Sequence, residues 1–405
     1  MKKLFFIAAA AFALLAASCD STTTESGTLT DEQQLVLDSY ADDIIIATYS
    51  DLATSAKGLL EAVQAIQSST ADDKTSLIAT ATESWLEART YWERSEAYLF
   101  GPVDQAGIDP GIDSWPLGLT TLKTSIQNWD AENDNYLTLK PDGGDLKGFH
   151  AIEYMIFADG AAKTTTIATF TEGYGLDQGD MTDDEFEAKL ESYLVAVTEE
   201  LYRCVLQLEA EWDLAGLSST KLADFNTFGD NITLSTTAGN YGELFKNPDL
   251  DNSIYSSFTS SLEEAFVGAI GIAEEVADVK ISDPINSDNG LLEVESWFSW
   301  NSIADFTNNV RGIKEAYFGK RYVDYPSTFD TDTEVNVGSV GAYVAGIDND
   351  ANDVVVAALN AAIAAVNSMI YPFRDNLTWD DNNTAAKEAV SAVQEALEAA
   401  QSIVM

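Results

Sequence analysis

Helical periodicity is the feature of this sequence that most constrains its fold. Apolar residues recur at spacings of three and four along several long stretches, and the two-residue alternation that a sheet would require is not sustained. Three such stripes are Leu201, Val205, Leu208 and Trp212; Val355, Leu359, Ile363, Val366 and Ile370; and Val390, Val393, Leu397, Ala400 and Val404. Alanine-rich, leucine-containing helices of this kind predict an all-α protein built from helical bundles.

Capping signals place the ends of two N-terminal helices. Thr30 with Gln33 fits a capping box, in which each side chain accepts a hydrogen bond from the other residue's backbone amide. A second helix is predicted from about Asp73 to Phe100, and Gly101 followed by Pro102 would end it.

The length of 405 residues favours two domains. A Ser/Thr/Gly/Asn-rich region near residues 214–240 is the best boundary, which gives an N-terminal bundle over residues 30–230 and a C-terminal bundle over 231–405. A short echo links the halves, because residues 94–101 resemble residues 314–319. Duplication of one bundle and coincidence both explain so short a match.

The N-terminus is typical of an export signal over residues 1–18. Two lysines precede an apolar run, which ends at Leu15-Ala16-Ala17-Ser18-Cys19. This junction resembles a bacterial lipobox, which implies cleavage before Cys19 and acylation of its thiol. Residues 19–29 are Ser/Thr/Gly-rich and predict a flexible tether. We therefore expect a lipid-anchored protein of the bacterial cell envelope, on the periplasmic side or the outer-membrane surface.

The formal charge is −46, from 67 acidic and 21 basic residues. Phosphate backbones would be repelled, so nucleic acid is excluded as a natural partner, whereas metal cations would be attracted. Much of this charge can simply be a solvated acidic surface that keeps an exported protein soluble. If Cys19 carries lipid, Cys204 has no intramolecular partner, and its helical context predicts a buried, inert thiol.

His150 is the only histidine of the chain, and Glu153 follows it by three residues. This spacing puts both side chains on one helix face, where they offer a nitrogen and oxygens to Zn²⁺ or Fe²⁺. Further carboxylates would be needed. Glu93 and Glu96 lie one turn apart on the second helix, and Asp109 and Asp113 lie in a loop over residues 101–116 that we expect to line a pocket. The plainer alternatives are a hydrogen-bonded His–Glu pair and, for Glu93, an exposed ion pair with Arg89.

The segment Gly148-Phe149-His150-Ala151-Ile152-Glu153-Tyr154 resembles the G-x-H-x-x-E motif of the imelysin family, bacterial envelope proteins sometimes classed as metallopeptidases. The match spans roughly Thr30 to the C-terminus and is more specific than H-x-x-E alone. Matching residues include Trp85, Arg89, Glu96, Asp113, Trp115, Pro116, Lys280, Glu295, Ser299, Asp305, Asn309, Gly312 and Gly319.

The resemblance implies two four-helix-bundle-like halves with the motif in a pocket at their interface, and a role in bacterial iron acquisition. His150 and Glu153 then become metal-site residues, with Glu96 and Asp113 as further pocket ligands. The pocket wall would come from Arg89 and Glu93 in the first half and from Ser299, Asp305 and Asn309 in the second.

Three functions remain open. The favoured one is an envelope lipoprotein that binds a divalent metal, iron before zinc, and works with other iron-uptake proteins. The second is a metallopeptidase with Glu153 or Glu96 as general base, although motifs that need two histidines on one helix are excluded. The third is a sugar- or peptide-binding lipoprotein that uses Trp297 and Trp300 as a stacking platform, against the plainer interpretation of these aromatics as core.

Overall fold

The structure is a computed structural model, and helices dominate its described residues, as the all-α prediction requires. The described residues are 29–70, 74–139, 143–168, 175, 178–235, 237–248, 250, 253–288, 293–322 and 328–405.

The first half is built from three long helices and several short ones. Helix α1 begins at Asp31, passes through a π-helical stretch, Ser39–Ile46, and ends at Ser68. The later elements are α2 (Thr75–Ser95), α3 (Pro102–Gln105), α4 (Asp109–Ile112), α5 (Leu119–Asn128), α6 (Tyr136–Leu139), α7 (Gly148–Ile156), strands β1 (Phe157–Ala158) and β2 (Ala161–Ala162), α8 (Asp183–Asp213) and α9 (Ser219–Phe228). The short α7 contacts α2 and α8 and takes the fourth position of this bundle.

The second half is a four-helix bundle joined to the first by α10 (Tyr241–Lys246). Its helices are α11, which comprises Phe258–Glu274, a π-helical stretch Glu275–Ser282 and Asp283–Asn286, then α12 (Ser302–Phe318), α13 (Val340–Ile347), α14 (Asn349–Asn367) and α15 (Asp381–Val404). Helices α11, α12, α14 and α15 pack on one another, and α13 covers one side. Helix α10 packs on α1 and α8, so the chain beyond residue 231 still contacts the first half.

Helices α2 and α12 bring the halves into close contact. At Gly312 a side-chain Cβ would lie 2.2 Å from the carbonyl oxygen of Arg94, so only glycine permits this approach. A similar approach occurs at Gly268, where a Cβ would lie 2.5 Å from the carbonyl oxygen of Ala97. The backbones of the two halves therefore meet without intervening side chains beside the C-terminal end of α2.

The helix-end predictions are mostly accurate. The Thr30–Gln33 capping box is present, and a second capping box, Thr182 with Glu185, starts α8. Helix α2 is shorter than predicted, since it begins at Thr75 and passes into a 3₁₀ turn at Glu96–Tyr98. The inclusion of Ile370 in a helical stripe is wrong, because α14 ends at Asn367 and leaves this side chain 46% exposed.

The predicted signal segment and lipidation site, including Cys19, lie outside the described residues. Within the described part of the chain, no helix combines the length and the apolarity that membrane crossing requires. Cys204 is a buried free thiol, and burial raises its pKa to about 12.

Candidate functional site

Gly148 positions the motif helix. It begins α7 with φ +77°, and a Cβ at this position would lie 2.3 Å from the carbonyl oxygen of Ile112. Glycine is therefore required both by the backbone conformation and by the close approach of α4. Every residue of α7 is buried, so His150 and Glu153 face the interior from the first two turns.

The two nitrogens of the His150 ring face different carboxylates. Nδ1 lies 2.9 Å from Glu153 Oε2, in hydrogen-bonding contact. On the other edge, Nε2 lies 3.0 Å from Asp113 Oδ1 and 3.7 Å from Glu295 Oε1. The ring is fully buried, with the Trp115 ring edge-on at 4.8 Å. Acidic groups thus surround the imidazole at both nitrogens.

Glu153 is held by the second half of the chain. Its Oε1 accepts hydrogen bonds from the backbone amides of Phe298, at 2.9 Å, and Ser299, at 2.7 Å. The Ser299 hydroxyl donates a third, also at 2.7 Å. With Oε2 on the imidazole, both carboxylate oxygens are engaged, so Glu153 fixes the ring and makes Nδ1 the protonated nitrogen.

Arg89 is fully buried in the centre of the cluster. Its guanidinium contacts Asp113 Oδ2 at 2.6 Å and Glu295 Oε1 at 2.7 Å. It also pairs with Glu93, one turn along α2. The interpretation of Arg89 and Glu93 as an exposed ion pair is therefore wrong, because both side chains have no solvent exposure. The cation holds carboxylates from three chain segments together.

Lys280 and Asn309 organise the next layer. Lys280 Nζ lies 2.8 Å from Glu96 Oε2 and 3.1 Å from Glu295 Oε2. The side-chain amide of Asn309 donates to Glu93 Oε2 at 2.7 Å and to Glu96 Oε2 at 2.6 Å. The second half of the chain thus supplies a cation and a hydrogen-bond donor to the carboxylates at the C-terminal end of α2.

The electrostatics divide the carboxylates into two groups. Burial opposes ionisation of Asp113, but the charges of Arg89 and His150 outweigh it and hold the pKa well below its usual range. Burial also opposes ionisation of Glu295, and Lys280 and Arg89 lower its pKa to about 2. Both are therefore anionic at neutral pH, and they are the two carboxylates nearest His150 Nε2.

The remaining carboxylates hold protons more tightly. Burial raises the pKa of Glu96 to about 8 despite the neighbouring Lys280 charge. The pKa of Glu93 is raised well above its usual value by burial, and that of Asp305 by burial and by the charge of Glu93. The pKa of His150 is raised although burial lowers it, because Asp113 stabilises the imidazolium. Near neutral pH, the cluster stores protons that a more highly charged cation could replace.

The donor set fits one divalent metal ion. Ligand atoms of Asp113, His150 and Glu295 lie within 4.8 Å of one another. Two atoms bound to one ion at about 2.1 Å stand about 3.0–3.4 Å apart at tetrahedral or octahedral angles, close to the 3.0 and 3.7 Å measured from Nε2. Asp113 Oδ1 and His150 Nε2 are buried and face each other at 3.0 Å, without a well-aligned hydrogen bond to any other group. One nitrogen with carboxylate oxygens suits iron or zinc.

The structure brings most of the predicted site residues into one cluster, with distinct positions. Glu96 lies beside Lys280 rather than His150, and Ser299 contacts Glu153. Asp305 accepts a hydrogen bond from Asn301 at 2.6 Å and lies 3.7 Å from Arg89 Nε. Asn309 donates to Glu93 and Glu96.

Sequence reasoning gives no site role to Glu295, Lys280 or Trp92. Trp92 Nε1 donates to Asp113 Oδ2 at 2.7 Å. In the sequence, Glu295 and Lys280 stand out only as residues that match the family pattern. For Trp92, the only sequence signal is its spacing: it stands three residues after Arg89 and therefore shares a face of α2 with it.

The loop after α2 walls a cavity, but not the one expected. Residues 105–108, 110 and 111 line a cavity of about 540 Å³ together with Glu200, Arg203 and Cys204 of α8. The side chains of the His150 cluster do not line it. Trp297, a candidate for the stacking platform, is 2% exposed, and the Arg374 guanidinium lies 3.6 Å from its ring centroid, so it belongs to the core.

Fold and site together define a two-bundle helical protein with a buried His–carboxylate–arginine cluster between its halves. The sequence profile of the imelysin family matches residues 45–402. The chain therefore belongs to the imelysin family.

Relatives carry names linked to iron. Iron-regulated protein A of Synechococcus elongatus is 24% identical over 283 residues, which are 70% of this chain and 63% of that protein. A solved structure from Parabacteroides distasonis, described as an iron-regulated protein A precursor, is 27% identical with a TM-score of 0.74, covering 94% of this chain and 97% of that one. An imelysin-like protein from Psychrobacter arcticum shares the fold at 15% identity, with a TM-score of 0.57 over 91% and 94% of the two chains.

Proposed function

We propose that this chain binds a divalent metal ion, iron before zinc, through His150, Asp113 and Glu295, as a component of bacterial iron uptake. The observation that carries the proposal is the pair of anionic carboxylates at His150 Nε2. Glu153 at Nδ1 leaves Nε2 as the nitrogen that would coordinate the ion. Two relatives are named as iron-regulated proteins, and these names favour iron over other divalent cations that prefer the same ligands.

The contacts of the two candidate general bases favour metal binding over peptide hydrolysis. Glu153 has both oxygens occupied by hydrogen bonds from the protein, and Glu96 is paired with Lys280. A general base needs an oxygen within reach of the attacking water. Chelator-sensitive cleavage of a peptide library by the wild-type protein, lost in Glu153→Gln, would support the peptidase instead.

Isothermal titration of the purified, untagged chain with Fe²⁺ under anaerobic conditions, and separately with Zn²⁺, tests the proposal. We expect binding by the wild type and none by His150→Ala. Asp330→Asn is the matched control, because Asp330 is also a carboxylate paired with an arginine, Arg311, but belongs to a different part of the molecule. Equal heats from wild type and His150→Ala would refute metal binding at this site.

We further propose that the protein is held at the envelope by lipid on Cys19, which rests on the lipobox-like junction of the sequence. Metabolic labelling with an alkyne fatty acid tests this, with Cys19→Ala as the variant and Cys204→Ala as the control. We expect label and membrane association in the wild type and in Cys204→Ala, and neither in Cys19→Ala. Labelling of Cys19→Ala would exclude acylation at this thiol.

A further inference from the structure

Lys280 occupies a cage of carboxylates. Its Nζ lies 2.8 Å from Glu96 Oε2, 3.1 Å from Glu295 Oε2 and 3.5 Å from Glu93 Oε2. The residue is 7% exposed and belongs to the π-helical stretch Glu275–Ser282 of α11. The ammonium therefore stands where carboxylates from α2 and from the segment before α12 converge.

The same carboxylates form a second group with metal-ligand spacing. Oxygens of Glu93, Glu96 and Asp113 lie within 4.8 Å of one another, so Asp113 belongs to this group and to the His150 group. Asn309, fully buried and bonded through its amide nitrogen to Glu93 and Glu96, has a side-chain oxygen without a hydrogen bond. Oxygen donors alone are the preferred ligands of hard divalent cations.

We infer that Lys280 fills the second cation position of this cluster, the one between Glu93 and Glu96, with its own ammonium. The natural site therefore takes one metal ion. A neutral residue at position 280 opens a second site between Glu93 and Glu96. The inference deepens the proposed function, and the identity of the first site rests on that function.

The physical reason is charge compensation inside the protein. Buried carboxylates require a nearby cation or a proton, and removing a buried partner leaves its counter-charge uncompensated. A lysine ammonium is a compact point charge, so it can take the place of an ion among several oxygens. Arg89 compensates Asp113 and Glu295 and also pairs with Glu93 Oε1, which leaves Glu96 and the second oxygen of Glu93 to Lys280 and Asn309.

The test counts bound Mn²⁺ per full-length chain, by elemental mass spectrometry after gel filtration, in wild type, Lys280→Met and Lys280→Arg. We expect one equivalent in the wild type, two in Lys280→Met and one in Lys280→Arg, which keeps the charge. Electron paramagnetic resonance should show isolated Mn²⁺ in the wild type and a spin-coupled pair in Lys280→Met. An equal number of Mn²⁺ equivalents in Lys280→Met and in the wild type, or two equivalents in the wild type, would overturn the inference.

Two further variants keep the outcome decisive. Adding Glu93→Gln and Glu96→Gln to Lys280→Met should return the count to one. If Lys280→Met does not fold, Lys280→Gln, which retains a hydrogen-bond donor, takes its place. The Mn²⁺ count and the electron paramagnetic resonance spectrum are then measured in the same way. The Fe²⁺ and Zn²⁺ titrations described above decide the proposed function, because Mn²⁺ binds nitrogen and oxygen ligands more weakly than either ion. The difference in Mn²⁺ count between Lys280→Met and the wild type decides the cage: one additional equivalent supports it, and no difference rejects it.

Discussion

At the scale of single residues, the imidazole of His150 is defined by what lies on its two edges. Glu153 engages Nδ1 and is itself fixed by three donors from the segment that ends at Ser299. Asp113 and Glu295 face Nε2. Glu153 therefore orients the ring, whereas Asp113 and Glu295 place negative charge beside Nε2.

We predict that Glu153→Gln weakens metal binding without abolishing it. The glutamine nitrogen would face either the imidazole N–H or the three donors on Oε1, so the ring loses its fixed orientation. Loss of such an outer partner typically costs about 10–100-fold in metal affinity. Titration calorimetry measures this, with Glu191→Gln, a buried glutamate paired with Lys74, as the control. Unchanged affinity in Glu153→Gln would rule out the orienting role.

The carboxylates with raised pKa values make the stability of the folded protein depend on pH in a defined direction. Glu96 has a pKa of about 8 in the folded chain against 4.5 ordinarily, so the folded state binds more protons between these values. Stability of the metal-free protein must therefore fall as pH rises from about 5 to 8. His150, whose folded pKa is also raised, adds to the fall as pH rises from 6.5.

Glu96→Gln should flatten this slope. We expect the loss of unfolding free energy between pH 5 and pH 8 to shrink by at least about 1 kcal/mol, because a ten-fold difference in proton affinity is worth about 1.4 kcal/mol. Urea unfolding with chelator present, at both pH values, provides the measurement. The exposed Glu388→Gln should leave the slope unaltered, and an equal slope in Glu96→Gln would contradict the assignment.

At the scale of secondary structure, the start of α7 is where local sequence and site geometry are most tightly linked. Gly148 combines a positive φ with a backbone approach to Ile112, the residue directly before Asp113. The glycine thus sets the distance between the helix that carries His150 and the segment that carries its carboxylate partner.

We predict that Gly148→Ala destabilises the fold by more than about 1 kcal/mol, since alanine fits neither the positive φ nor the space beside Ile112. Metal affinity should fall with it, as α7 moves away from α4. Gly271→Ala is the control, because Gly271 is helical and exposed, and a Cβ there would have open space for 4 Å around it. That change should be neutral or stabilise by about 0.4–1 kcal/mol. Thermal and urea unfolding compare the two.

The helices themselves are accessible to sequence reasoning, and the reason is local. Capping at Thr30 and the stripes of α8 and α15 depend on residues three or four apart, whose geometry a helix fixes by itself. The end of α2 falls earlier than predicted because the change to a 3₁₀ turn at Glu96–Tyr98 accompanies contacts with α11, which lies far away in sequence.

At the scale of the whole molecule, the cluster joins the two bundles. Arg89, His150 and Glu153 belong to the first half, and Lys280, Glu295 and Asn309 to the second, and residues of the two sets contact one another directly. Any ligand held by His150 and Glu295 would bind only the docked arrangement of the halves. Binding and docking should therefore be coupled.

We predict that saturating Fe²⁺ or Zn²⁺ raises the melting temperature of the wild type by several degrees. A ligand at 100 times its Kd stabilises by about 2.7 kcal/mol. With an unfolding entropy of about 2.1 cal/mol/K per residue, each kcal/mol is worth roughly 1 °C when a chain of 405 residues unfolds as a unit. Scanning calorimetry should show both halves shifting together, and neither should shift in His150→Ala. A rise confined to one of two separate transitions would argue against a ligand shared by the halves.

What the sequence determined by itself is what short-range geometry decides: the helical class, several helix ends, and a histidine and glutamate on one helix face. Tertiary structure alone decided that Glu295 joins His150, that Lys280 lies among the acids, and that Arg89 and Glu93 are buried. The reason is physical, because an i, i+3 spacing states which side chains share a face but not what is packed against that face. Packing depends on how segments far apart in the chain dock, and burial then decides which of the acidic groups keep their charge.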